Sequence, residues 1–126
     1  MEINDQDKEL MSIAEKLIKK RKSDLSTVGS ALMTTNGEIY TGVNIEQIHS
    51  SPCSMCAEYA AIGKMHSKAD QEIETIVAVT SEGQILPPCG KCREMIRQFG
   101  NPYVILKKEN GPFKVRLNDL IPYWEM

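Results

Sequence analysis

Residues 73–99 read IETIVAVTSEGQILPPCGKCREMIRQF, and this stretch decides the fold. Its first eight positions are nearly all apolar and rich in β-branched side chains, the composition of a strand covered on both faces. Pro87 and Pro88 lead into a helix over residues 89–99, which Gly100 and then Pro102 stop. Residues 103–107, YVILK, form a second buried strand. Outward toward the N-terminus, residues 56–67 read as a helix with Ser54 as its N-cap. Before it, residues 28–34 and 38–44 are strand-like runs on either side of Asn36-Gly37, a short-hairpin signal that predicts a type I′ turn. Residues 4–20 carry Leu10, Ile13, Ala14, Leu17 and Ile18 at helical spacing. Toward the C-terminus, residues 113–116 predict a short edge strand and residues 117–120 a helical turn. A hairpin followed by β-α alternation predicts a mixed sheet with helices on both faces. In such sheets, sites form at the carboxyl ends of strands.

The chain has 126 residues, which fits a single domain over residues 1–126. Hydrophobic residues make up 41%, enough for a core, and the 25% charged residues argue against disorder. The net charge of −2 leaves no basic surplus for a nucleic-acid partner. The basic run Lys19-Lys20-Arg21-Lys22 reads as the last turn of a helix, where the dipole favours cations. No run of about 18 apolar residues is present to span a membrane. The polar start Met1-Glu2-Ile3-Asn4-Asp5 lacks the order of a signal peptide. The expected location is therefore the cytoplasm, where Cys53, Cys56, Cys89 and Cys92 stay reduced. Paired cysteine spacing in a reducing compartment points to metal rather than disulfides.

Two segments carry the chemistry: Cys56-Ala57-Glu58 and Pro88-Cys89-Gly90-Lys91-Cys92. Cys89 and Cys92, three apart on one helical turn, can share a metal ion, and Cys56 supplies a third thiolate from the start of the other helix. Helix N-termini carry partial positive charge, which favours thiolates. Three protein ligands on Zn2+ leave the fourth position for water, the arrangement of catalytic zinc. Glu58 at the same helix start can lean over that position as a proton carrier. A competing reading counts Cys53 as a fourth ligand. Cys53-x-x-Cys56 with Cys89-x-x-Cys92 is the pattern of a closed structural zinc site, and would make the protein a binding module without catalysis. That reading leaves Glu58 and Asn44-x-Glu46 unexplained, so Cys53 is assigned as a small, partly buried residue ahead of the helix.

Taken together, Val28-Gly29-Ser30-Ala31-Leu32, Gly42-Val43-Asn44-Ile45-Glu46, Cys56-Ala57-Glu58, Pro88-Cys89-Gly90-Lys91-Cys92-Arg93 and Leu120-Ile121-Pro122 resemble the cytidine deaminase family, in order and at family-like separations. The resemblance implies a three-layer α/β/α sandwich on a five-stranded mixed sheet. It implies a homotetramer whose subunits complete each other's sites. It also implies Zn2+ on Cys56, Cys89 and Cys92, Glu58 as proton shuttle, Asn44 and Glu46 on ribose hydroxyls, and the Ala57 N–H near the base. The implied reaction is hydrolysis of the C4 amino group of a small cytosine nucleoside.

The chain also departs from the family. Ser26-Thr27 stands where many members have an aromatic-proline pair. Tyr59 stands where many three-cysteine members have an arginine that offsets thiolate charge. Arg93 and the two helix ends are the candidates to replace that arginine. These departures, with Tyr123-Trp124-Glu125, resemble the blasticidin S deaminase branch, which gives a nucleoside antibiotic as the alternative substrate. His49 and His66 read as surface histidines, and Tyr59, Ile62 and Met65 as core or interface. Phe113 and Trp124 read either as core or as closing a neighbouring subunit's pocket.

Overall fold

The computed structural model describes residues 1–121, so Pro122 and the tail residues Tyr123, Trp124 and Glu125 lie outside the described residues. The chain runs α1 (Asp5–Arg21), β1 (Val28–Thr34), β2 (Ile39–Val43), α2 (Ala57–Ser67), β3 (Ile73–Thr80), α3 (Gly90–Arg97), β4 (Tyr103–Lys108) and β5 (Gly111–Arg116), with 3₁₀ turns at Ser51–Cys53 and Leu117–Leu120. The five strands form one mixed sheet in the order β2-β1-β3-β4-β5. β1 is antiparallel to both β2 and β3, and β4 is antiparallel to β5. β3 and β4 are parallel, with Thr75 opposite Tyr103 and Ile76 opposite Val104. The crossover between them contains α3, the length of connection a parallel pair requires.

Alternation along the central strands separates two cores. Ala31, Val77, Val79 and Ile105 face α1, where they meet Leu10 and Ala14. Leu32, Ile76 and Val104 face the other way, against Ala61, Ile62 and Met65 of α2 and Ile96 of α3. The result is the three-layer α/β/α sandwich with a five-stranded mixed sheet. β3, in the middle of both sheet and layers, is buried from Thr75 to Val79, which explains its lack of polar alternation.

Local chemistry fixes the element ends. Asn4 caps α1 in a capping box with Asp7. Asp7 is itself buried and pairs with Lys114 Nζ at 2.8 Å, tying the start of α1 to β5. The β1–β2 turn corrects the type I′ expectation. Among the described residues, Gly37 has φ +86° while Asn36 is not in the positive-φ region. A type I′ turn needs positive φ at both central residues. Thr34 N–H instead donates to Glu38 O at 2.8 Å, leaving a three-residue loop with glycine in its left-handed position. The N-cap of α2 is also corrected, because it is Cys56, not Ser54. α3 ends at Arg97, with Gln98 and Phe99 in a following turn.

Gly42 seats α2. A Cβ there would stand 2.5 Å from Ala61 N and 2.8 Å from Ala57 O, so the helix backbone lies directly on β2. That contact fixes the first turn of α2, and with it Cys56 and Glu58, beside the end of β2.

Candidate active site

The site lies where α2 and α3 begin, by the carboxyl ends of β2 and β3. Asn44 is the first residue beyond β2, and it is buried. Its Oδ1 accepts backbone N–H groups from Thr27 at 2.7 Å and Val28 at 2.9 Å. The Ser26 hydroxyl donates to Asn44 O at 2.7 Å. Asn44 therefore pins the segment entering β1, and its amide nitrogen is left facing Glu46, donating to Oε1 at 3.1 Å. The next stretch folds back on itself. Ile45 and Met55 exchange two backbone hydrogen bonds of 2.9 Å, which brings the Asn44-x-Glu46 segment alongside the approach to Cys56.

Cys56 and Cys89 occupy equivalent places as the N-caps of α2 and α3, both with extended backbone. Cys92 sits one turn into α3 and is buried. The Sγ atoms of Cys56 and Cys89 are 3.8 Å apart, and the three sulfurs lie within 4.8 Å of one another. Metal–sulfur bonds of about 2.3 Å at tetrahedral angles set sulfurs about 3.8 Å apart, so the three thiols match the donor set and spacing of a zinc ion. Among the described residues this is the one such group of potential ligands, and Cys53 is not part of it. Cys53 is not partly buried as expected: it is exposed on the 3₁₀ turn, 3.4 Å from the Ser50 hydroxyl. The closed four-thiolate reading therefore lacks its fourth sulfur.

The thiols differ electrostatically. Burial raises Cys56 above the usual thiol range, aided by the charge of its neighbours Cys89 and Glu58. Cys92 is also raised, first by burial and then by the charge of Glu58. Burial acts in the same direction on Cys89, but the backbone N–H groups of Cys92 and Lys91 and the neighbouring thiols outweigh it, and Cys89 is lowered. The polarity of the α3 end thus reaches a sulfur directly. Arg93 is placed otherwise: Nε donates to Pro88 O at 2.9 Å and Nη1 to Leu120 O at 3.1 Å. It braces the loop ahead of Cys89 against the C-terminal turn.

Glu58 is in the first turn of α2, and only 7% of it is exposed. Burial holds its carboxyl above the ordinary carboxylate range. It faces the same cleft as Asn44, Glu46, Cys56, Ala57 and Cys89, a cavity of about 210 Å³. Val28, Ala78 and Leu86 give that cleft an apolar side. A flat apolar ring fits such a slot, with polar groups at its two ends.

The profile of the cytidine and deoxycytidylate deaminase zinc-binding region matches residues 4–108. The chain belongs to the cytidine deaminase family. Members of this family are hydrolytic aminohydrolases. A blasticidin-S deaminase from Bacillus cereus is 34% identical over 130 aligned residues, covering 95% of this chain and 92% of that protein. A cytidine deaminase from Mycobacterium tuberculosis is 32% identical over 95 residues, covering 75% of this chain and 69% of that protein. A crystal structure of cytidine deaminase from M. tuberculosis superposes with a TM-score of 0.77 at 26% identity, covering 96% of this chain and 97% of that one.

Several placements were not legible in the sequence. Ser54 binds Glu46 and Gln47 rather than capping α2. Lys91, between the two α3 cysteines, lays its ammonium 4.6 Å from the centroid of the Tyr59 ring, joining the first turns of α3 and α2. The signal for the second contact is present only as an aromatic residue after Glu58 and a cation between Cys89 and Cys92. His49 is exposed, as expected, and the His66 ring meets Phe99 tilted at 57°, with centroids 5.8 Å apart. Ile62 and Met65 are core, and Tyr59 packs at its edge.

Proposed function

We propose that the protein is a zinc-dependent hydrolase that converts cytidine and deoxycytidine to the uridine nucleosides, releasing ammonia. The observation that carries this reading is the cluster of three sulfurs at zinc spacing, with a buried carboxyl, Glu58, on the same cleft. Zinc held by Cys56, Cys89 and Cys92 would supply the Lewis acidity that makes water a nucleophile near neutral pH. Glu58 carries one proton of the attacking water to N3 of the ring, and then the second proton, from the new C4 hydroxyl, to the amino group, which leaves as ammonia. Its raised pKa suits it to hold and release a proton in turn. The Ala57 N–H lies at the base, and Glu46 with the remaining Asn44 N–H takes the ribose hydroxyls. Arg93 acts indirectly, by fixing the loop that carries Cys89.

The protein works in the cytoplasm, in pyrimidine salvage, as a homotetramer. The exposed apolar side chains of Ile45, Ile48 and Met55, the last of which lines the cleft, support the assembly. A nucleic-acid substrate is disfavoured by the net charge of −2 and the small cleft.

One observation favours a second reading. The B. cereus blasticidin-S deaminase aligns with 95% of the chain, against 75% for the M. tuberculosis cytidine deaminase. A nucleoside antibiotic carrying the same amino-pyrimidine is therefore the alternative substrate. Ultraviolet absorbance of purified, zinc-quantified protein with cytidine, deoxycytidine and blasticidin S separates the readings. Turnover of cytidine is the expected result. Turnover of blasticidin S alone selects the alternative, and turnover of none overturns both.

A further inference from the structure

Glu46 is held at both carboxylate oxygens. Asn44 Nδ2 donates to Oε1 at 3.1 Å, and the Ser54 hydroxyl donates to Oε2 at 3.4 Å. Ser54 Oγ is not free to turn elsewhere, because it accepts the backbone N–H of Gln47 at 2.8 Å. With that lone pair engaged, its proton points to Glu46. The Ile45–Met55 bridge holds the two residues across from each other. Both Ser54 and Glu46 line the cleft. Glu46 is exposed, and an exposed glutamate otherwise samples several rotamers whose loss opposes ligand binding. A carboxylate already fixed by two donors presents its remaining lone pairs in one direction.

We propose that Ser54 is a positioning residue for the sugar end of the site. It holds Glu46 in the orientation that accepts ribose hydroxyls, and so sets the preference for a hydroxylated sugar over a bare one. This rests on the nucleoside reading above. Among the described residues the Ser54 side chain bonds Glu46 and Gln47 and neither the thiols nor Glu58, so its effect falls on binding rather than on turnover.

The test compares cytidine with 2′,3′-dideoxycytidine, which lacks the 2′ and 3′ hydroxyls that Glu46 would accept. Ser54→Ala raises KM for cytidine about tenfold, the scale of one hydrogen bond to a charged group, and leaves kcat within about twofold. KM for the dideoxynucleoside stays within about twofold, so the preference between the two falls about tenfold. Ser54→Thr, which keeps the hydroxyl, restores the preference. Ser54→Gly, which removes the hydroxyl without filling its place, reproduces the split if the alanine variant folds poorly. Equal losses on both nucleosides mark a merely structural role and overturn the proposal, as does an unchanged KM for cytidine. A wild-type protein that turns over neither nucleoside overturns the cytidine reading, and this proposal with it.

Discussion

At the scale of single residues, Glu58 carries the most weight and is the most exposed to test. General acid–base groups contribute about 10²–10⁴ in rate. Glu58→Gln is therefore expected to keep the fold and the metal content while lowering kcat by about 10³ or more; near-normal turnover would remove Glu58 from the mechanism. The same substitution has an opposite effect on stability. Burial raises the Glu58 carboxyl, so the folded chain holds that proton more tightly than the unfolded chain. Ionised Glu58 thus costs stability above its folded pKa, and the cost fades as pH falls toward about 4, where both states are protonated. In metal-free protein, Glu58→Gln should raise the melting temperature at pH 8 and lose that advantage by about pH 4. A melting temperature that drops at pH 8 would contradict the unfavourable burial of the charge. The residues of the thiol group and Glu58 were legible because sequence spacing places them on two helix starts. Ser54 was not. Its partner Glu46 lies eight positions away, and only the Ile45–Met55 bridge brings the two together.

At the scale of elements, the helices and strands followed from periodicity and apolar runs, while their ends followed from chemistry that the pattern does not encode. α2 begins at Ala57 because Cys56 adopts the cap position, with no side-chain bond to the helix. The Asn36-Gly37 signal located the hairpin but not its turn type, since the Thr34–Glu38 pairing makes the loop three residues long. α2 packs closely on β2 at Gly42, where an added Cβ would meet Ala61 N at 2.5 Å and Ala60 Cβ at 2.6 Å. Backbone and a helix Cβ cannot swing aside as a flexible side chain does. Gly42→Ala should push α2 off the sheet, costing roughly 1–3 kcal/mol in chemical denaturation. It should also weaken zinc retention against a chelator, because Cys56 caps the displaced helix. Wild-type stability and retention together would show that the contact does not position the site.

At the scale of the whole molecule, one topological feature assembles the site. The parallel β3–β4 pair with its α3 crossover, and the antiparallel β1 joining β3 to β2, turn the starts of α2 and α3 toward each other. Thiols 33 and 36 positions from Cys56 then become neighbours. The mixed sheet was legible from the hairpin and the β-α order, and the five-stranded sandwich from the family resemblance. The edge closure by the buried Asp7–Lys114 pair was not, because it joins residues 107 positions apart and neither carries a motif. The two CxxC pairs had left three-sulfur and four-sulfur sites in competition, and only the folded chain, with Cys53 out on its exposed turn, separates them. X-ray absorption at the zinc edge on the loaded protein tests that separation directly. The expected spectrum has three sulfur neighbours at about 2.3 Å and one lighter oxygen or nitrogen neighbour, the same in Cys53→Ser as in the wild type. A shell of four sulfurs that falls to three in Cys53→Ser would contradict the account.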